Sequence, residues 1–73
     1  MFPARDKTIT GDIVLTRLKE ILRNSFDDEA AHDLEDKLYV DVLEAIAAGH
    51  AEPEALAHLA LESKKIDFSR WCA

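Results

Sequence analysis

The sequence predicts an all-α protein: an antiparallel helical hairpin, a shorter third helix and an anchored C-terminal tail. Apolar residues recur at helical spacing in two long stretches, residues 10–23 and 28–48. Glycine and proline, which interrupt helices, occur only twice each in 73 residues. A hydrophobic fraction of 48% is typical of a globular chain, and this length makes a single small helical domain, residues 1–73.

The first helix is predicted to begin at Thr10, whose hydroxyl can cap its first turn. Residues 1–9 before it are expected to form a flexible N-terminal tail. Ile9 and Val14 have the spacing of a hydrophobic staple across the cap. The apolar residues that follow form one stripe, with charged residues on the other side, which indicates a helix that packs along one face.

A second helix is predicted from about Asp28 to Ala48, capped by Ser25 or Asp27 and ended by Gly49 in a left-handed conformation. Four of its apolar residues are expected to form a seam in the core or between two copies: Leu34, Leu38, Val42, Ile46. The apolar arc of its C-terminal half approaches about 200°, against about 100° for an ordinary surface helix. One partner helix cannot cover so wide an arc, which favours a homodimer or another partner.

Pro53 suits the first position of a third helix, which the basic pair Lys64 and Lys65 should close. Residues 66–73 are predicted to form an aromatic tail, with Asp67 as the cap of a last helical turn. Two aromatic side chains are expected to anchor this tail on the helices: Phe68, Trp71.

Negative charge is concentrated on the second helix. Residues 27–44 hold eight acids and one base, so their net charge is 1 − 8 = −7, against −6 for the whole chain. The chain lacks the clustered Lys and Arg that neutralise phosphates, which argues against direct binding to nucleic acid. The acidic row favours a partner protein with a basic surface, either by electrostatic steering or by imitating DNA phosphates, and a merely solvated helix face is the third interpretation.

The predicted partner-binding site is the apolar side of the second helix that holds Tyr39, Val40 and Leu43. Tyrosine is favoured at interfaces because it adds a large area with few rotatable bonds and a hydroxyl group. Three neighbouring carboxylates are expected to steer a basic partner: Glu35, Asp36, Glu44. Three coverings of this face remain open, namely the third helix and tail of the same chain, a second copy, or a different protein.

The sequence carries no catalytic motif, and we predict neither a metal nor a cofactor. Two acid–histidine–acid trios at i, i+4, i+8 spacing, centred on His32 and His58, would be weak ligand sets, since such exposed pairs are common on helices. Cys72 lies at the end of the sequence, where a shielded nucleophile is difficult to form. We therefore expect a non-enzymatic protein.

The expected location is the cytoplasm, without a membrane span. No apolar run approaches the roughly 18 residues that a span needs, and residues 1–9 lack the apolar region of a secretory signal. The single cysteine permits no internal disulfide, which suits a reducing compartment.

In size, in lacking a catalytic motif, and in its long second helix around residues 38–43 (LYVDVL), the chain resembles small acidic helical proteins that bacteriophages use to inhibit host regulators. More narrowly, it is similar to the phage quorum-sensing anti-activators, helical dimers that bind a LuxR-type transcription factor. The resemblance implies that Tyr39 and its neighbours contact a regulator and keep it from DNA. Two alternatives stay open: a structural or regulatory subunit of a larger complex, and an acidic DNA mimic or CRISPR inhibitor.

Overall fold

The computed structural model describes residues 9–70 of the protein, which form three packed α-helices and one 3₁₀ turn. The elements follow in chain order: α1, Gly11–Arg23; α2, Asp28–Ala47; α3, Pro53–Ala60; the 3₁₀ turn, Leu61–Lys65. The predicted all-α class is confirmed. The N-terminal tail before Ile9 and the expected anchor Trp71 lie outside the described residues.

Polar side chains fix where the two long helices begin. Thr10 Oγ1 and Asp27 Oδ1 each accept a hydrogen bond from the N–H three residues on, at 3.3 and 3.1 Å. Asp27 is therefore the cap of α2, while Ser25, the other predicted cap, donates to the Leu22 carbonyl. Gly49 follows the helix with a φ of +93°, the left-handed conformation predicted for it.

The helices α1 and α2 pack against each other. The turn of residues 24–27 joins them, and Arg17 in the middle of α1 reaches Asp41 in the second half of α2, with Nη1 and Oδ2 2.7 Å apart. The helix α3 then packs against both α1 and α2.

The core draws on every α-helix and on both flanking segments. Its buried apolar residues are Ile9, Val14, Ile21, Ala31, Leu38, Val42, Leu56, Ala60 and Phe68. Ile9 is therefore not part of a flexible tail, because its side chain is buried beside the first turn of α1, as the staple spacing with Val14 predicts.

The predicted seam of α2 packs inside the monomer. Leu38 and Val42 are buried, and Leu34 and Ile46 lie half-buried against the same core. These four side chains are already covered by the chain's own helices. A second copy would have to use another face of α2.

The C-terminal part of the fold departs from the prediction in two places. The α-helix stops at Ala60 and continues as the 3₁₀ turn, a tightening that is common at helix ends. Asp67 does not cap a last helical turn, since residues 67–70 form no helix. The side chains of Phe68 and Arg70 instead hold this segment against the helices, as described below.

His50 ties the segment before α1 to the connection between α2 and α3. Its Nε2 lies 2.9 Å from the Ile9 carbonyl oxygen, and its Nδ1 accepts the Glu52 N–H at 2.9 Å. Because Nδ1 is the acceptor, the ring hydrogen is on Nε2, which donates to Ile9. The neutral imidazole thus clamps both segments at once.

Substituting Gly49 should destabilise the protein, because an L side chain is strained at a φ of +93°. We expect Gly49→Ala to lower the free energy of unfolding by about 1–2 kcal/mol. Gly11→Ala is the matched control, since its Cβ would meet Leu59 Cδ2 at an ordinary 3.5 Å in a helical first turn. Urea unfolding followed by circular dichroism should find Gly11→Ala neutral or stabilising, and equal losses at the two sites would contradict this explanation.

Candidate functional site

Glu35 is the one buried charged residue within residues 9–70, with only 3% of its surface exposed. It lies on α2 one turn from Ala31, Leu38 and Tyr39, on the side of the helix that faces the core. A carboxylate in this position is strongly unfavourable unless charge and hydrogen bonds compensate for the lost water. The groups around Glu35 therefore have to supply this charge and these hydrogen bonds.

Arg70 provides the compensating charge. Its Nε lies 2.9 Å from Glu35 Oε1 and its Nη2 3.0 Å from Oε2, so the guanidinium binds the carboxylate in a bidentate manner. The Nη2 group also donates to the carbonyls of Ser63 at 2.8 Å and Ile66 at 3.1 Å. The guanidinium carbon stands 3.9 Å from the centre of the Phe68 ring, a cation–π contact.

Ser63 and Tyr39 complete the cluster around the carboxylate. Ser63, fully buried, donates from Oγ to Glu35 Oε2 at 2.6 Å. The Tyr39 hydroxyl forms a short hydrogen bond with Ser63 Oγ and lies 3.5 Å from Glu35 Oε2. Because Ser63 gives its only hydroxyl hydrogen to Glu35, Tyr39 is the donor to Ser63. A chain of hydrogen bonds thus runs from Tyr39 through Ser63 to Glu35.

The cluster fixes the charge states of its members. Burial acts to raise the pKa of Glu35, but hydrogen bonds from Arg70 and Ser63 and the charge of Arg70 outweigh it, and the pKa lies below the usual range. Burial raises the pKa of Tyr39, which keeps the hydroxyl protonated. The hydrogen bonds to Glu35 raise the pKa of Arg70. The cluster is a neutral phenol, a carboxylate and a guanidinium.

The prediction that Glu35 is an exposed carboxylate that steers a partner is therefore wrong, because Glu35 is buried and paired with Arg70. Its position in the apolar stripe of α2, with Leu38 three residues on, turns it to the interior. Tyr39 is half-buried, and its hydroxyl points to the same cluster. The cluster anchors the C-terminal segment, residues 66–70, which is the anchored tail predicted, although Arg70 was not among its expected anchors.

One signal in the sequence could have identified Arg70. An acid at a core position of an amphipathic helix needs a cation, and Glu35 stands four residues after Ala31 and three before Leu38. Arg17 of α1 pairs with Asp41, and the other cations of α1 are exposed. Arg70, by contrast, lies two residues after Phe68, which is itself predicted to anchor the C-terminal tail. The one acid within the apolar stripe of α2 thus predicts a cationic partner from another part of the chain.

The outer face of α2, defined as Asp36, Val40, Leu43 and Ala47, is exposed along about three helical turns. These positions follow i, i+4, i+7 and i+11 spacing, so they form a continuous row. Val40 is 52% exposed and Leu43 63%, although both are large apolar residues. Glu44 lies beside them and is exposed as well. Of the predicted partner-binding residues, Asp36, Val40, Leu43 and Glu44 thus share an accessible surface.

Ion pairs line one edge of this face. Arg17 from α1 binds Asp41, and Lys37 binds Asp33 with Nζ and Oδ2 2.8 Å apart. The hydrogen bond to Asp33 raises the pKa of Lys37. An open cleft of about 380 Å³ lies between these pairs and the outer face, lined by Arg17, Asp36, Lys37, Val40 and Asp41. The outer face therefore borders an open cleft that is lined by both apolar and charged side chains.

Much of the acidic row is neutralised within the chain. Asp33, Glu35 and Asp41 pair with Lys37, Arg70 and Arg17 respectively. Asp36 approaches His32, with Oδ2 and Nδ1 3.4 Å apart, while its side chain stays 62% exposed. The row is thus less negative as a surface than the formal charge of the sequence suggests.

A second exposed apolar region lies at the hairpin turn. Phe26 is 85% exposed, and Leu22 on the last turn of α1 is 59% exposed. This region carries no buried polar group or cleft among the described residues. It is separate from the residues that the sequence analysis predicts to bind a partner.

Within residues 9–70, no three His, Cys, Asp or Glu side chains come together as a metal-binding group. None of the helices in this part of the chain has both the length and the hydropathy of a membrane span. Comparison of the chain with models of known families, with curated proteins and with solved structures finds no match.

Acid should destabilise the protein partly through Glu35. Because folding lowers the pKa of Glu35, the unfolded chain takes up the proton more readily than the folded one. The stability that ionised Glu35 contributes is therefore complete above the ordinary carboxyl pKa of about 4.3 and is lost as the pH falls through the lower, folded value. Glu35→Gln should reduce the slope of unfolding free energy against pH below about pH 5.

Urea unfolding between about pH 7 and pH 2 measures these slopes. Glu62→Gln is the control, because Glu62 pairs with Lys65 at the surface, where their side chains are 50% and 77% exposed. It should keep the wild-type slope, since exposed pairs contribute little. A slope of Glu35→Gln equal to that of the wild type would contradict the assignment.

Proposed function

We propose that the chain is a non-enzymatic binding protein that inhibits a bacterial transcription regulator or another DNA-binding protein. Its outer face of α2 is the contact surface. The observation that carries this proposal is the pair of large apolar side chains, Val40 and Leu43, exposed next to the carboxylates of Asp36 and Glu44. The resemblance to phage anti-activators suggests the class of target.

The apolar part of the surface supplies affinity. Full burial of a Val or Leu side chain contributes about 1.5–3 kcal/mol. Val40 and Leu43 are 52% and 63% exposed, so contact would recover about half of that for each. The cleft beside Val40 adds concave surface into which a partner's side chain can insert. Such a contact centre surrounded by polar groups is typical of transient interfaces.

The carboxylates supply orientation and speed. Asp36 stands one turn before Val40, and Glu44 directly follows Leu43, so acidic groups flank the apolar centre at both ends. Opposite charges around an interface mainly raise the association rate, and they do so less at high salt. A DNA-binding protein presents the basic surface that this arrangement fits.

Imitation of DNA is the less favoured form of this function. A phosphate mimic needs a row of unneutralised negative charges. Here Asp33, Glu35 and Asp41 are paired with cations of the chain, and Glu35 is buried. Binding of the partner is therefore expected to depend more on Val40 and Leu43 than on the number of carboxylates.

A homodimer through the same face is the second part of the proposal. Two antiparallel copies of α2 that place Val40 opposite Leu43 also bring Lys37 of each copy close to Glu44 of the other, by the two-fold symmetry. Two parallel copies would instead place Asp36 beside Asp36. The antiparallel arrangement thus buries apolar area and brings opposite charges together across the interface. Because the outer face cannot bind a second copy and the regulator at the same time, the homodimer would have to dissociate before the regulator binds.

Partner binding is tested with a purified LuxR-type regulator and its DNA operator in a gel-shift assay. The wild-type chain should lower DNA binding by the regulator. Val40→Ser and Leu43→Ser should each weaken this inhibition by about four- to twelvefold, because each removes contact area at the centre. Neither should unfold the chain, as both side chains are more than half exposed in the monomer.

Leu61→Ser is the matched control for these variants. Leu61 is 51% exposed but lies in the 3₁₀ turn, away from the outer face. It should inhibit as the wild type does. Equal losses from Leu61→Ser, or full inhibition by Leu43→Ser, would reject the outer face as the contact surface.

Charge reversal tests the dimer. The mass in solution, from light scattering after size exclusion, should be about twice the chain mass of 8.2 kDa. Lys37→Glu and Glu44→Lys should each shift the equilibrium towards monomer, because like charges then face each other. The double variant should restore the dimer. A monomeric wild type at all concentrations would contradict the dimer and leave the gel-shift test unaffected.

A further inference from the structure

The C-terminal segment, residues 66–70, is held against the helices in the way that a folded domain holds a peptide. It has no helix or strand of its own. Phe68 inserts into the edge of the core, and Arg70 binds Glu35. The backbone N–H of Ser69 donates to Asp28 Oδ1 at 2.9 Å. Two side-chain anchors and a main-chain hydrogen bond are the usual means of peptide recognition.

The walls of this site belong to elements that precede the segment. Asp28, Glu35 and Tyr39 come from α2, and Ser63 comes from the 3₁₀ turn. Ser63 contributes twice, since its hydroxyl donates to Glu35 and its carbonyl accepts from Arg70 Nη2. The groups that bind the segment thus lie on α2 and on the 3₁₀ turn, and residues 66–70 occupy the site that these groups form.

The chemistry of the site selects arginine. The two oxygens of Glu35 accept from two different nitrogens of one planar guanidinium, while the Ser63 carbonyl accepts from one of them again. Lysine has a single ammonium group and cannot form this fork. A buried carboxylate is also strongly unfavourable without a cation, so the site favours an occupant that carries a guanidinium.

We propose that this site, which we call the Glu35 pocket, binds an aromatic-x-arginine segment of another protein in place of the chain's own Phe68-Ser69-Arg70. The aromatic residue takes the position of Phe68, and the arginine forms the fork on Glu35. Residues 66–70 act as an internal competitor that occupies the pocket until such a segment displaces it.

The Glu35 pocket is distinct from the outer face of α2. Glu35 and Val40 are five positions apart, which places them about 140° apart around the helix. Glu35 is buried, whereas Val40 is 52% exposed. The proposal therefore goes beyond the proposed function and does not depend on it.

Competition from residues 66–70 limits the apparent affinity of the Glu35 pocket for a partner segment. A segment tethered by a short linker has an effective concentration on the order of millimolar. A free peptide must exceed this before it displaces Arg70, so the wild type should bind such a peptide weakly. Removing the Arg70 side chain should uncover the pocket and strengthen binding.

The test uses the full-length Arg70→Ala chain and two probes. The first is methylguanidinium at millimolar concentration, and the second is the capped pentapeptide of residues 66–70, IDFSR. Both should raise the melting temperature of Arg70→Ala. By fluorescence anisotropy, the peptide should bind Arg70→Ala at least about tenfold more tightly than the wild type, and its lysine version at least about tenfold more weakly than IDFSR.

Arg17→Ala is the matched control, because it also removes a cation from a carboxylate of α2. Asp41 then remains partly exposed to water, its side chain being 21% exposed, and there is no aromatic anchor beside it. Neither probe should stabilise this variant. Stabilisation of Arg17→Ala equal to that of Arg70→Ala would overturn the proposal, as a general charge effect would then explain it.

If Arg70→Ala does not fold, Arg70→Lys replaces it, since a lysine keeps a cation near Glu35 with a weaker grip. IDFSR should then displace the lysine-bearing segment, and exchange of the Ser69 amide hydrogen should accelerate as it does so. A folded variant that binds neither methylguanidinium nor IDFSR, or that binds the lysine peptide equally well, would show the cluster to be internal packing alone.

Discussion

The fold depends on the ion pair between Glu35 and Arg70. A chain of 73 residues buries a limited core, and an unpaired carboxylate inside it would remove several kcal/mol of stability. Arg70 prevents this only if residues 66–70 lie against α2, and that path carries Phe68 into the edge of the core. The same requirement explains why Ser63, at 0% exposure, is turned inward from the 3₁₀ turn. Charge and apolar contact thus hold the C-terminal segment against the helices.

The two sides of α2 have different surroundings. The inner side combines Leu38 and Val42 with Glu35, and it organises the chain's own helices and C-terminal segment. The outer side keeps Val40 and Leu43 more than half exposed. In the proposed function, a partner therefore binds at the outer face without rearranging the core. This division also separates the variants that should affect binding from those that should affect folding.

Local features of the fold could be predicted from the sequence, whereas the long-range pairs could not. Thr10, Asp27 and Gly49 act through neighbours a few residues away, and their roles as caps follow from residue type and spacing. The partner of Glu35 is 35 residues distant, and only the path of the C-terminal segment brings it there. The excess apolar arc of α2 was predictable, but which part of it stays exposed depends on how α1, α3 and the 3₁₀ turn pack against it. Tyr39 is consequently turned to Ser63, while Val40 and Leu43 remain at the surface.

A double-mutant cycle at Glu35 and Arg70 tests the central claim most directly. Urea unfolding would be measured for Glu35→Gln, Arg70→Met and the double variant. Arg70→Met should be the least stable single variant, because it leaves a buried carboxylate without its cation, and the double variant should regain stability relative to it. The coupling free energy should be at least about 1.5 kcal/mol. Additive losses, with a coupling below about 0.5 kcal/mol, would contradict the claim that this pair organises the fold.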